Sequence, residues 1–156
     1  MSSAERYDER LGVPLRWWVQ GTMLVATFWM AMVVAMPFAW ACGFTAVMLL
    51  LLAAWFLGYG SARITVADGG LRAGRARVEG RHLGAAAPLD PEETRRVAGV
   101  EADARAYLLL RPYLKRAVRV ELTDPADPTP YWLLSTRHPD RLAAAVAALV
   151  GAQRRG

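Results

Sequence analysis

The hydrophobic pattern along the chain changes once: an unbroken apolar block gives way near residue 61 to short alternating stretches punctuated by glycine. Between Arg16 and Arg63 no Asp, Glu, Lys or Arg occurs, which leaves 46 consecutive uncharged positions. One membrane-spanning helix takes about 20 apolar residues, so the block predicts two spans joined by a turn. The spans are expected at residues 17–35 and 41–59, the second centred on VMLLLLAAWFL. At 1.5 Å per residue each leg is roughly 28 Å long, which matches a hydrocarbon core of about 30 Å. The turn is expected within residues 36–43 (MPFAWACG), where Pro37 removes a backbone donor and Gly43 admits unusual dihedrals. Trp17 and Trp18 at the entry, with Trp55 and Tyr59 near the exit, suit the two interfaces. Residues 1–16 contain Gly12 and Pro14, which discourage a helix continuing into the span, and they predict a short cytoplasmic tail.

After the block, ARITVA alternates, and Asp68-Gly69-Gly70 is a tight-turn signal before LRAGRARVEG. This predicts a hairpin, followed by a third short strand around residues 82–86. LDPEETRRVAG starts a helix with Asp90 as the N-cap, Pro91 first and Glu93 three residues after the cap, ending at Gly99. KRAVRVELTD alternates through Val118, Val120 and Leu122, and YWLLST offers a matching strand beyond the stiff connection DPADPTP. HPDRLAAAVAALVGA places Leu142, Val146 and Leu149 on one helical face and is expected to stop at Gly151. The predicted fold is a transmembrane α-helical hairpin plus a small α+β domain over residues 61–150, antiparallel and β-rich with a C-terminal helix. Residues 151–156 are expected to be a disordered tail.

Charge gives the block an orientation. The net charge of +5 resides entirely in residues 63–156, since the first sixteen residues balance three arginines against Glu5, Asp8 and Glu9. Three arginines precede the first span, none lies in the turn, and Arg63, Arg72, Arg75, Arg77 and Arg81 follow the second. The positive-inside rule then predicts a multi-pass protein of the bacterial inner membrane with both termini cytoplasmic. Lys115 is the sole lysine among 19 basic residues, an arginine bias that reflects a GC-rich coding sequence more than a selected surface. The single Cys42 excludes an intrachain disulfide and a cysteine-based zinc site. Ala39-Trp40-Ala41 before Cys42 has the form of a lipoprotein cleavage site, but the charge-balanced tail, the long apolar segment and the second span weigh against it.

No phosphate-binding glycine motif is present. His82 and His138 lack metal-ligand spacing. Ser135 with His138 is the one close nucleophile–base pair, and it sits at a strand-to-helix junction that capping explains. No catalytic, cofactor-binding or metal-binding residue is therefore nominated, and no enzyme is expected. The candidate chemistry is a membrane-surface basic cluster, Arg63, Arg72, Arg75, Arg77 and Arg81, held near anionic lipid headgroups. It lacks the interleaved aromatics of a nucleic-acid surface. Arg111, Tyr113, Tyr131 and Trp132 form a candidate partner surface, with Trp132 equally a candidate for the core. The expectation is a membrane-anchored, non-enzymatic interaction module on the cytoplasmic face, binding a protein partner or anionic lipid headgroups. The alternative, an accessory of a transporter or envelope enzyme acting through the hairpin, is weakened by the lack of any Asp, Glu, Lys, Arg or His between Arg16 and Arg63.

The order of strands, short helix and terminal helix resembles bacterial pleckstrin-homology-like domains, in which a terminal helix plugs a curved antiparallel sheet. The segments YDERLGVPLRWW, ARAYLLLRPYLKRAV and DPADPTPYWLLSTRHPDRLAAAV resemble a family of actinobacterial two-span membrane proteins of unknown function. That resemblance covers about residues 7–149. It implies a membrane protein and brings no catalytic or binding residues with it.

A charge at mid-span tests the placement. Leu50→Arg is expected to oppose insertion by about 2.5–3.5 kcal/mol, read as a fall in the membrane-integrated fraction; an unchanged fraction would place residue 50 elsewhere.

Overall fold

The structure, a computed structural model, describes residues 6–155. It forms two units, one from the chain up to Leu11 together with the chain from Ala62, the other from Gly12–Ser61.

The second unit is a pair of helices, α1 (Leu15–Ala35) and α2 (Phe38–Tyr59). Both are long and apolar enough to cross a membrane. Only Met36 and Pro37 separate them, so the turn is far tighter than residues 36–43, and Gly43 is helical. Pro37 is extended at φ −56° and ψ 138°. It needs no donor there, and every following residue gains an intrahelical bond by joining α2 at once. The legs approach closely where Gly21 faces Leu52: a Cβ on Gly21 would lie 3.0 Å from the Leu52 methyls. Trp18 meets Phe56 edge-on, with ring centroids 5.0 Å apart. Thr27 and Thr45 return their hydroxyls to the carbonyls of Met23 and Ala41 at 2.9 and 2.8 Å, so neither leaves an unpaired polar group. Val25 and Ala41 are the buried residues of the pair, whereas Phe28, Val34, Leu50 and Trp55 point outward. A helix pair apolar on its outside suits an apolar surrounding.

The first unit opens with β1 (Tyr7–Arg10), β2 (Arg63–Ala67), β3 (Gly70–Ala73) and β4 (Ala76–Glu79), an antiparallel meander in that order. β1 corrects the expected tail. Its alternation covers only four residues, with Tyr7 and Glu9 inward against Asp8 and Arg10 outward, and its partner lies far along the chain, Tyr7 opposite Val66. The Asp68-Gly69 turn has both residues at positive φ, 50° and 73°. Those dihedrals suit a type I′ turn, whose twist matches its strands. LRAGRARVEG, expected as one arm, holds both β3 and β4.

A 3-10 turn at Gly80–His82 leads to the second sheet, formed by β5 (Leu83–Leu89), β6 (Tyr107–Leu109), β7 (Ala117–Leu122) and β8 (Tyr131–Ser135) in the order β5-β7-β8-β6. The pairs are antiparallel except β6 with β8, which run parallel. Between β5 and β6 lies α3 (Pro91–Ala98), whose capping box forms as the sequence predicts: Asp90 accepts from Glu92 N and Glu93 N, and Glu93 accepts from Asp90 N. In DPADPTP, Asp124 and Asp127 accept from Ala126 N and Thr129 N, two local turns that stiffen the connection.

The terminal helix α4 (Pro139–Arg155) begins where expected but runs through Gly151. A glycine inside a helix costs only about 1 kcal/mol relative to alanine, too little to end one already held by packing. Residues 152–155 are therefore helical, contrary to the expected disordered tail; Gly156 and residues 1–5 lie outside the described residues. Leu142, Val146 and Leu149 of α4 are buried with Ile64, Val66 and Leu71 of the first sheet and Val118, Val120 and Leu134 of the second, in one core. On the opposite face of the second sheet Val97 of α3 covers Ala117, Tyr131 and Leu133. β8 is consequently buried at all five positions, which explains its continuous apolar text.

Leu142 is fully buried beneath both sheets. Leu142→Ala is expected to lower unfolding free energy by about 2–5 kcal/mol, measured by denaturation of the purified protein followed by a probe in the folded unit; a loss below 1 kcal/mol would mean that α4 does not seal this core.

Candidate functional site

The outer face of the first sheet carries the basic cluster. Register places Asp8, Thr65, Arg72 and Arg77 in one cross-strand row, since Asp8 faces Thr65, Thr65 faces Arg72 and Arg72 faces Arg77. Two residues along, on the same face because side chains alternate, Arg10 faces Arg63. The five nominated arginines do not act alike. Arg63 donates through Nε and Nη2 to the two carboxylate oxygens of Asp8, which holds the Asp8 carboxyl below its usual range. Arg81 pairs with Glu79 at 2.8 Å and donates to His82 Nε2 at 3.1 Å. Arg72, Arg75 and Arg77 are exposed and form no ion pair among the described residues. Arg10, which sequence reasoning left in the tail, is exposed on the same face and also forms no ion pair among the described residues.

The candidate partner surface does not hold together. Tyr131 and Trp132 are each 4% exposed. Tyr131 accepts from Asp103 N at 3.1 Å beneath the Arg119 guanidinium, and Trp132 packs on Tyr107. Both belong to the core because β8 is central and covered on both faces. Tyr113 is half-buried and donates to the Leu11 carbonyl at 2.7 Å; Arg111 is half-buried and its backbone N–H donates to Ser135 Oγ at 3.0 Å. These two residues tie loops to the domain. The Ser135 bond also removes the nucleophile–base pair: Ser135 is buried and turned to Arg111, while His138 is exposed.

Sequence reasoning missed a buried carboxylate. Glu9, only 8% exposed, accepts from the Tyr7 hydroxyl and the Thr136 hydroxyl, each at 2.5 Å, and from Arg137 N at 3.0 Å, with the Arg137 guanidinium 3.7 Å away. Thr136 Oγ1 in turn accepts from His138 N at 3.0 Å, at the start of α4. Burial first, then the bond to Glu9, raises the Tyr7 phenol well above its ordinary value. The only signal was the i, i+2 spacing of Tyr7 and Glu9; their partners lie more than a hundred residues away. Beside this cluster an open cavity of about 220 Å³ is lined by Arg6, Tyr7, Asp140, Arg141, Ala144 and Ala145. Among the described residues no group of three or more His, Cys, Asp or Glu side chains could hold a metal ion.

A family model described as a protein of unknown function, DUF3093, matches residues 6–146. The chain belongs to the DUF3093 family. The match takes in β1, both apolar helices, both sheets and about half of α4, so in this DUF3093 protein the hairpin and the folded unit fall within one family unit. No curated protein and no solved structure matches it.

The sign of the Tyr7 effect fixes a pH dependence. A phenol whose folded value is raised stabilises the fold fully below the unfolded value near 10, and that contribution disappears as pH rises through the folded value. Stability of the wild type is thus expected to fall above about pH 10 more steeply than that of Tyr7→Phe; parallel profiles would contradict the burial of this phenol. At neutral pH, Glu9→Ala strands two hydroxyls and an amide and is expected to cost roughly 2–3 kcal/mol, measured by denaturant titration.

Proposed function

We propose that this DUF3093 protein is a membrane-anchored, non-enzymatic interaction module, whose folded domain works on the cytoplasmic face of the bacterial plasma membrane and engages a protein partner or anionic lipid. The observation that carries the reading is topological. The apolar hairpin is inserted between β1 and β2, and these strands are hydrogen-bonded neighbours from Tyr7 opposite Val66 to Arg10 opposite Arg63. A chain that leaves β1, makes two helical crossings and returns to pair with β1 has both ends of its hairpin on one side. The arginines that flank both helices, with none in the turn, support the cytoplasm as that side. Two sheets closed by a terminal helix also support the pleckstrin-homology-like assignment, from which the parallel β6 strand and the added β1 are departures.

The non-enzymatic reading is supported by what the polar groups do. Ser135, Thr136, Glu9 and Tyr7 are engaged with one another or with backbone amides. Between Arg16 and Arg63 the helices carry no acidic or basic side chain for intramembrane chemistry. Exposed arginines without an ion pair among the described residues, Arg10, Arg72 and Arg77, gather on the outer face of the first sheet.

A reporter fused after Gly156 tests the topology: activity is expected from a reporter that works only in the cytoplasm, and activity from one that works only outside would overturn the reading. Affinity purification in mild detergent should lose its partners when the chain is cut after Ser61; an unchanged partner set would assign the function to the hairpin instead.

A further inference from the structure

We infer that the outer face of the first sheet is an anion-docking surface for phosphate groups of anionic lipids, centred on Arg72 and Arg77. This rests on the membrane-anchored reading above and names the ligand of that module. Arg72 and Arg77 are direct cross-strand partners, an arrangement that is unfavourable for like charges unless an anion lies between them. The nearby acids do not neutralise them, because Asp8 is engaged by Arg63 and Glu79 by Arg81. Arg10 extends the surplus charge along the same side of the sheet, and Arg75 adds an exposed charge at the turn between β3 and β4. Guanidinium forks suit phosphate oxygens.

The surface is an open strand face and not a cavity, which fits an extended layer of phosphates better than one enclosed soluble anion. The connections between the folded unit and the apolar helices are short. Residues 11–14 join β1 to α1 and residues 60–62 join α2 to β2; fully extended, they reach roughly 14 Å and 11 Å. Screening at physiological ionic strength acts over about 8 Å, so headgroup charge is felt across much of that reach. Strands carrying arginine without exposed aromatics lack the stacking platform that single-stranded nucleic acid uses.

The test uses the full-length protein in phospholipid nanodiscs, with Cys42→Ser and a fluorophore on Ala67→Cys, a position on the same sheet face. Quenching by spin-labelled headgroups is expected to rise several-fold when phosphatidylglycerol is added to phosphatidylcholine, and to be reversed by high salt. Arg72→Gln with Arg77→Gln should raise the phosphatidylglycerol fraction needed by roughly tenfold, whereas Arg95→Gln with Arg96→Gln, which removes the same charge from exposed positions on α3 behind the second sheet, should shift it little; thermal unfolding verifies that both variants fold. Equal quenching in pure phosphatidylcholine, or equal shifts in the two double variants, would overturn the proposal. Reversal by inorganic phosphate or an acidic peptide with no response to phosphatidylglycerol would assign the face to a soluble anion. Extraction of the protein from membranes by alkaline carbonate would instead bring down the anchored reading on which the proposal rests.

Discussion

The pairing of β1 with β2 is the constraint on which the rest of the structure depends. It joins a four-residue strand to a partner on the far side of an apolar hairpin, and so makes one folded unit from two separated pieces of chain. Closing a loop of this length costs only slowly increasing entropy, and a preformed helix pair reduces that cost by bringing the ends together. Burial of Tyr7 and Leu11 favours closure, and the bonds made by Glu9 fix its register. A one-residue slip would turn Glu9 to solvent and Asp8 into the core. A buried carboxylate without its partners is strongly unfavourable, so this group tolerates one register only.

The same network joins the first strand to the last helix. Thr136 binds both Glu9 and the His138 amide, so the start of α4 and the position of β1 are held by one hydroxyl. From there α4 runs across both sheets, and its apolar face closes the core. The first sheet thereby keeps one face dry and leaves the other to water. The exposed face is where the arginines gather, because outward positions of β1 to β4 are the places in these strands that accept charge without burial.

Much of this was legible in the chain, and what was not follows a common cause. The apolar helices, the Asp68-Gly69 turn, the capping box at Asp90 and Glu93 and the start of α4 at Pro139 all depend on neighbours within a few residues, so local spacing reveals them. β1, the parallel pairing of β6 and the burial of Glu9 depend on contacts with distant segments. Tyr131 looks like a surface aromatic beside a proline-rich turn, and only the covering layer from α3 makes it core, whereas Trp132 on the other face joins the core beneath α4. The arginine cluster was legible as a cluster. Its division into Arg63 and Arg81, which are paired, and Arg72, Arg75 and Arg77, which form no ion pair among the described residues, required the three-dimensional arrangement.

The account of function turns on whether the chain before the hairpin pairs with the chain after it in the intact protein. Asp8 and Thr65 are cross-strand partners on the exposed face, and Cys42 is the only native thiol. In a Cys42→Ser background, Asp8→Cys with Thr65→Cys in isolated membranes should form an intramolecular disulfide on mild oxidation, detected by a mobility shift that reductant reverses. Failure to cross-link, while each single cysteine reacts freely with a maleimide, would contradict the pairing and the shared side of the hairpin's two ends.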